Sequence, residues 1–199
     1  MPVKITNAPA AALAALHGGI GEMRGLAATP PAVAALAAAE AQTPEGVPHE
    51  TFHLGLDAIQ ARRGVAAAEP VGWRYLLGGS TATHALAAEV HHRPEGYQFA
   101  GINEGPFNKQ MVDMMKRIEP QIREADYEPR LLRIPALYIV ALWLKSPNGD
   151  LYVPLEPSNP EVEVGRLYKE KEFDAALERA ADAMTRAVPP QADKGPHAP

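Results

Sequence analysis

Residues 49–53 of the chain, His49-Glu50-Thr51-Phe52-His53, carry the H-E-x-x-H spacing of zinc hydrolases. On a helix, histidines four residues apart lie on one face and can bind one zinc ion, while the glutamate acts as general base. This interpretation predicts His49 and His53 as metal ligands, Glu50 as the catalytic base and zinc as the cofactor. A third ligand would have to come from elsewhere, and the candidates are Glu69, His84, Glu89, His91 and His92.

The residues around the motif favour a different interpretation. Pro48 suits the first turn of a helix, so the apolar spacing predicts a helix over residues 48–63, with the apolar stripe Phe52, Leu56 and Ile59. His49 then lies in the first turn, where the helix dipole disfavours a bound cation, and Glu50 stabilises the helix start without any catalytic role. The two histidines would simply flank a core-facing stripe.

Glu89 and His91 form a second candidate group, because residues two apart on a strand face the same way. Such a pair could bind a metal, act as acid and base, or face water at the end of a strand before a turn. His92 would face the other side of the same strand. The sequence alone leaves these three roles open.

Composition excludes several other kinds of chemistry. The 199 residues include no cysteine, which excludes thiol catalysis, disulfides and cysteine-ligated metals. The few serines lie in predicted turns, outside any G-x-S-x-G elbow. A net charge of −5 disfavours a nucleic-acid partner. The chain contains neither an apolar run long enough for a membrane span nor the pattern of a secretory signal, so we expect a cytoplasmic protein without membrane contact.

The apolar pattern downstream of the motif predicts an α+β fold. Alternating residues predict strands over 70–77, 82–92 and 97–103, and Asn148-Gly149 predicts a hairpin between strands 131–145 and 151–157. Helices are expected from Gly105 to Ile122 and over 170–188. The order α-βββ-α-ββ-α predicts an antiparallel sheet of about five strands with helices packed on its faces.

Both ends of the chain differ in composition from its centre. Residues 1–44 are rich in alanine and proline, which predicts a flexible N-terminal arm with marginal helices at 9–18 and 31–42. Residues 45–190 are expected to form a single α+β domain, and residues 191–199 a disordered tail.

These observations favour a non-enzymatic binding or assembly protein, although an enzyme is not excluded. Its partner would be a protein or a second copy of the chain, with the N-terminal arm as candidate binding segment and no resident cofactor. One alternative is the zinc-dependent hydrolase of residues 49–53. The other is a small-molecule binder with a pocket lined by the aromatic residues Trp73, Tyr75, Tyr138 and Trp143.

Overall fold

Four helices and eight strands make up the parts of the chain that the computed structural model describes, which are residues 7–24, 47–77, 86–104, 106–122 and 126–187. The helices are α1 (Ala10–Arg24), α2 (Leu56–Gln60), α3 (Pro106–Ile118) and α4 (Glu170–Ala187). The strands are β1 (Val47–His53), β2 (Glu69–Leu77), β3 (Leu86–Arg93), β4 (Gly96–Glu104), β5 (Glu128–Ile134), β6 (Ile139–Lys145), β7 (Leu151–Pro154) and β8 (Tyr168–Lys169).

All eight strands belong to one sheet, in the order β4-β3-β2-β1-β5-β6-β7-β8. Strands β1 to β4 form one antiparallel meander, and β5 to β8 form another. The two meanders meet at the centre, where β1 and β5 pair in parallel. A parallel pair needs a long crossover, which here contains β2, β3, β4 and α3. The predicted α+β class is confirmed, but the prediction of about five antiparallel strands is wrong, because the sheet is mixed and has eight.

The two sides of the sheet are defined here by the residues of β1. Face A carries Glu50 and Phe52, and face B carries His49, Thr51 and His53, since side chains alternate along a strand. Face A is covered by α1 over β2 to β4, and by α2 and α4 over the other half. Helix α3 covers the apolar part of face B through Met111, Met114 and Ile118.

The H-E-x-x-H residues lie in a strand, so the helix predicted over 48–63 is wrong for its first half. Strand β1 pairs with β2 on one side and with β5 on the other, and its backbone groups therefore bond across strands. Such pairing outweighs local helix preference, which is weak for Thr51 and the histidines. Only residues 56–60 of the predicted segment are helical, after a break at Gly55.

The apolar run over residues 131–145 is two strands instead of one. Pro135 cannot donate a ladder hydrogen bond, and residues 135–137 form a tight turn that ends β5. Tyr138 then adopts a left-handed conformation, with φ of 55°, and the chain returns as β6. The run looks continuous in the sequence because both strands are covered on both faces. The helices predicted from Gly105 and over 170–188 correspond to α3 and α4.

Part of the predicted flexible arm packs on the sheet. Helix α1 buries Ala12, Leu16 and Ile20 against the β2–β4 part of face A. The helix approaches β4 closely at Gly19, where a Cβ atom would lie 2.0 Å from the ring of Phe99. Residues 10–24 are therefore helical and packed on the sheet, while the domain boundary at residue 45 stays a prediction. The predicted helix at 31–42 and the predicted tail at 191–199 lie outside the described residues, and so does His84.

Candidate functional site

A polar cluster lies on face B beside the apolar part that α3 covers. Its centre is Glu89 of β3, whose carboxylate accepts hydrogen bonds from both terminal nitrogens of Arg133 on β5, one of them at 3.3 Å. Asn103 of β4 donates a third hydrogen bond to the same carboxylate at 3.1 Å. Glu89 is thus held from both sides, by a guanidinium and by an amide.

Arg74 of β2 brings a second guanidinium to Glu89, with 3.6 Å between its Nε and Oε1 of the carboxylate. The Arg74 side chain is only 5% exposed, so its charge is almost fully removed from water. It donates hydrogen bonds to the side-chain oxygens of Asn108, on α3, and of Asn103, the latter at 3.4 Å. A buried cation needs such partners, and Asn108 links the cluster to α3.

The charges of the cluster fix the ionisation of Glu89. Burial on its own would raise the pKa of Glu89, but the hydrogen bonds and charge of Arg133, the charge of Arg74 and the hydrogen bond from Asn103 lower it to about 2. The pKa of Arg74 is lowered to about 10, mainly by burial. The charge of Arg133 lowers this pKa further, whereas the charge of Glu89 raises it. At neutral pH the cluster therefore consists of one carboxylate between two guanidinium cations.

A cavity of about 290 Å³ opens beside this cluster. Its walls come from β1, β2, β3 and β5, and include Thr51, His53, Val71, Gly72, Trp73, Glu89, His91, His92, Arg93 and Arg133. Desolvation lowers the pKa of His53, and the charges of Arg133 and His91 lower it further, against the opposing effect of Glu89. His53 is therefore neutral at pH 7 and presents one N–H donor and one acceptor.

Small residues make room for the cavity and for the ion pair. In the strand register, the row His91–Gly72–Thr51 lies between the row that holds Glu89 and the row that holds Arg133. Gly72 has no side chain to fill that row, and it has a φ of 154° at the bulge between β1 and β2. A Cβ at Gly72 would lie 2.1 Å from the carbonyl oxygen of Val90, so this position requires glycine.

The structure separates the three residues predicted to form the zinc site. His49 and His53 lie on face B, but four residues of a strand place their Cα atoms roughly 13 Å apart, too far for a shared metal ion. His49 is fully buried beside Arg74, and His53 lines the cavity. Glu50 lies on the opposite face. The helix on which the interpretation rests is absent from residues 47–53, and the zinc hydrolase stays a prediction from the sequence.

Glu50 belongs to a different ion-pair group on face A. Its carboxylate lies 4.0 Å from Arg130 of β5, which also donates a 2.9 Å hydrogen bond to Glu128. Burial raises the pKa of Glu50, with Glu128 adding to the rise and Arg130 opposing it. The Arg130 guanidinium also lies 5.0 Å from the ring centre of Phe52. Glu50 is therefore paired with a cation on the face of the sheet opposite His49 and His53.

Among the residues that the structure describes, no group of three or more histidine, aspartate or glutamate side chains is arranged to hold a metal ion. Glu89 and His91 do share a face as the sequence predicts, with 3.8 Å between the carboxylate and Nε2. The carboxylate is already bound by arginine, which competes with any metal. Arginine is therefore the counterion of Glu89.

The aromatic residues predicted to line a pocket are divided among three environments. Trp73 and Tyr75 both lie in the core beneath α1, and Trp73 also borders the cavity. Trp143 lies in the core beneath α4 and donates a hydrogen bond to Asp150. Tyr138 is 84% exposed at the turn between β5 and β6. The cavity lining is consequently mixed, with histidine and arginine beside apolar residues such as Val71 and Val90, and Trp73 is the one expected aromatic residue that borders it.

The residues that sequence reasoning missed are Arg74, Arg133, Asn103 and Asn108. A signal for the two arginines is present, because each interrupts an apolar strand, in "VGWRYLL" and in "PRLLRIP". A charged residue within a buried strand needs a partner of opposite charge. The strand pairing that brings Glu89 to both arginines cannot be read from either stretch.

A comparison of the chain with known protein families, with curated proteins and with solved structures finds no match to any of them. In the described parts of the chain, no helix is both long and apolar enough to cross a membrane.

Proposed function

We propose that this protein is a non-enzymatic binding protein that holds a small molecule in the cavity between β1, β2, β3 and β5. The observation that carries the proposal is a partly buried ion-pair cluster that opens into a cavity of about 290 Å³. Concave sites with a few convergent polar groups are the usual form of small-molecule sites. The cavity volume lies near the lower limit for small-molecule sites, which favours a small ligand.

The ionisation of the cluster supports binding over catalysis. A general base works best when its pKa lies near the working pH, whereas the arginines lower the pKa of Glu89 to about 2. The pKa of His53 is lowered as well, so its basicity falls. Glu89 is therefore a weak base at neutral pH, although both groups remain good hydrogen-bonding groups. A fixed set of donors and acceptors suits recognition of a ligand.

A fragment screen followed by amide chemical shifts in heteronuclear NMR tests this proposal. We expect at least one small polar compound to cause saturable shifts at the amides of Thr51, Gly72 and His91, which border the cavity. The amides of Ala176 and Leu177 in α4, which pack in the face A core, serve as internal controls. A screen whose hits all shift amides elsewhere in the protein would contradict the proposal.

Binding of a protein partner through the N-terminal segment is retained as a proposal for residues 25–44. The apolar side of α1 is already packed on the sheet, so residues 10–24 cannot also present it to a partner. A pull-down comparing the full chain with a variant lacking residues 25–44 tests this. Equal recovery of partners by the two proteins would contradict it.

A further inference from the structure

We infer that the ligand of this cavity is a small oxyanion, recognised by a carboxylate or phosphate group that binds Arg133. The inference rests on the proposed function, because it specifies the chemical class of the molecule that the cavity holds. It follows from the balance of charge, from the unused donors of the lining residues and from the position of Arg133.

The charges around the cavity do not balance. Arg133 in its wall and Arg74 directly behind Glu89 are both largely removed from water, whereas Arg93 in its wall is exposed. One carboxylate, that of Glu89, opposes Arg74 and Arg133, and Glu69, the strand partner of His53, is exposed like Arg93. One positive charge remains without a counterion among these groups. An anion in the cavity would neutralise it in surroundings that are partly removed from water.

The donors of the lining residues are not all used. Arg133 has five N–H donors, and its hydrogen bonds to Glu89 occupy one on each terminal nitrogen. The His53 side chain makes no hydrogen bond with any described residue, and its neutral ring has one N–H to offer. The free donors of a guanidinium form a fork that matches a carboxylate or a phosphate. Arg133 and His53 therefore keep unused donors that can face a ligand in the cavity.

Arg133 is also the most accessible charged member of the cluster. Its side chain is 26% exposed, compared with 16% for Glu89 and 5% for Arg74. A ligand that enters the cavity thus reaches Arg133 before it reaches the other two groups. Arg74 and the asparagines hold Glu89 in place from behind, so Arg133 can turn part of its fork towards a ligand while Glu89 keeps a partner.

The test is a titration of the full chain with inorganic phosphate, with acetate and with neutral acetamide, each at constant ionic strength, followed by NMR. We expect saturable shifts at Thr51, Gly72 and His91 with at least one of the two anions, and no such shifts with acetamide. The anion that binds with the lower dissociation constant identifies the preferred head group. Absence of saturable shifts with both anions, when a neutral fragment binds the cavity, would overturn the inference and leave the proposed function intact.

Substitution of the arginines provides the matched comparison. Arg133→Gln should weaken anion binding by about tenfold or more, because it removes the charge and the fork together. Arg130→Gln is the control, since Arg130 lies on the same strand with a similar exposure of 19% but faces the other side of the sheet. Equal loss in the two variants would mean that the anion binds by general charge attraction and not in this cavity, and would overturn the inference.

Two further variants keep the inference testable if Arg133→Gln fails to fold. Arg133→Lys retains the charge but lacks the fork, and should bind the anion several-fold more weakly than the original chain. Glu89→Gln removes the competing carboxylate, so its anion affinity should rise about tenfold. Unchanged affinity in both variants would contradict a role for the Glu89–Arg133 pair.

Discussion

Glu89 and Arg133 form an ion pair over two intervening strands, because β2 and β1 lie between β3 and β5 in the sheet. The two side chains meet over the row that holds Gly72 and Thr51, which lies between their own rows in the sheet. The pair therefore joins the two meanders of the sheet directly. The pair also holds in place Arg133, the arginine that would bind the proposed ligand.

Neutralising Glu89 should destabilise the protein at neutral pH and change the pH dependence of its stability. In the unfolded chain Glu89 has the ordinary pKa of 4.5, whereas in the folded protein the pKa is about 2. The ion pair therefore contributes fully above pH 4.5, and its contribution is lost as the pH falls towards 2. A shift of this size corresponds to about 3 kcal/mol.

Urea denaturation from pH 2 to pH 7 measures this effect. Glu89→Gln should lower the unfolding free energy at pH 7 and flatten its pH dependence below pH 4.5, since the titrating group is gone. Glu163→Gln, which changes a 72% exposed carboxylate, is the control and should alter the free energy by less than about 0.5 kcal/mol. The same pH profile in Glu89→Gln as in the original chain would contradict the assignment.

Helix α1 should contribute to stability, in contrast to the flexible arm expected from composition. Leu16 is fully buried against the sheet, so Leu16→Ala should lower the unfolding free energy by about 2–5 kcal/mol. His17→Ala, at an exposed position of the same helix, should have little effect. Thermal denaturation of both variants decides between the two expectations. Equal melting temperatures would mean that α1 is not docked in solution.

Gly72 should tolerate no side chain. Gly72→Ala places a Cβ against the carbonyl of Val90, so we expect a loss of more than about 2 kcal/mol together with distortion of the cavity. Gly101→Ala separates the steric clash from the backbone strain of a positive φ. Gly101 also has a positive φ, of 141°, but has open space around its Cβ position. Denaturant titration measures both, and a loss in Gly72→Ala no larger than in Gly101→Ala would remove the steric explanation.

Zinc should not bind at the H-E-x-x-H residues if strand β1 is formed in solution. We expect purified protein to contain less than about 0.1 zinc per chain and to show no thermal shift on addition of zinc. His49 and His53 are too far apart along the strand to share an ion, and Glu50 faces away from both. Stoichiometric zinc that is lost in His53→Ala would revive the hydrolase prediction from the sequence.

The sequence by itself determined the α+β class, the amphipathic helices α3 and α4, and the shared face of Glu89 and His91. These features depend on local periodicity, which a few consecutive residues express. Only the tertiary structure decided that residues 47–53 form a strand, because partners on both sides, β2 and β5, satisfy its backbone. In this strand Glu50 faces the side of the sheet opposite His49 and His53. Long-range strand pairing also places Glu89 next to Arg133. Contacts between residues 44 positions apart depend on strand order, and strand order leaves no local pattern in the chain.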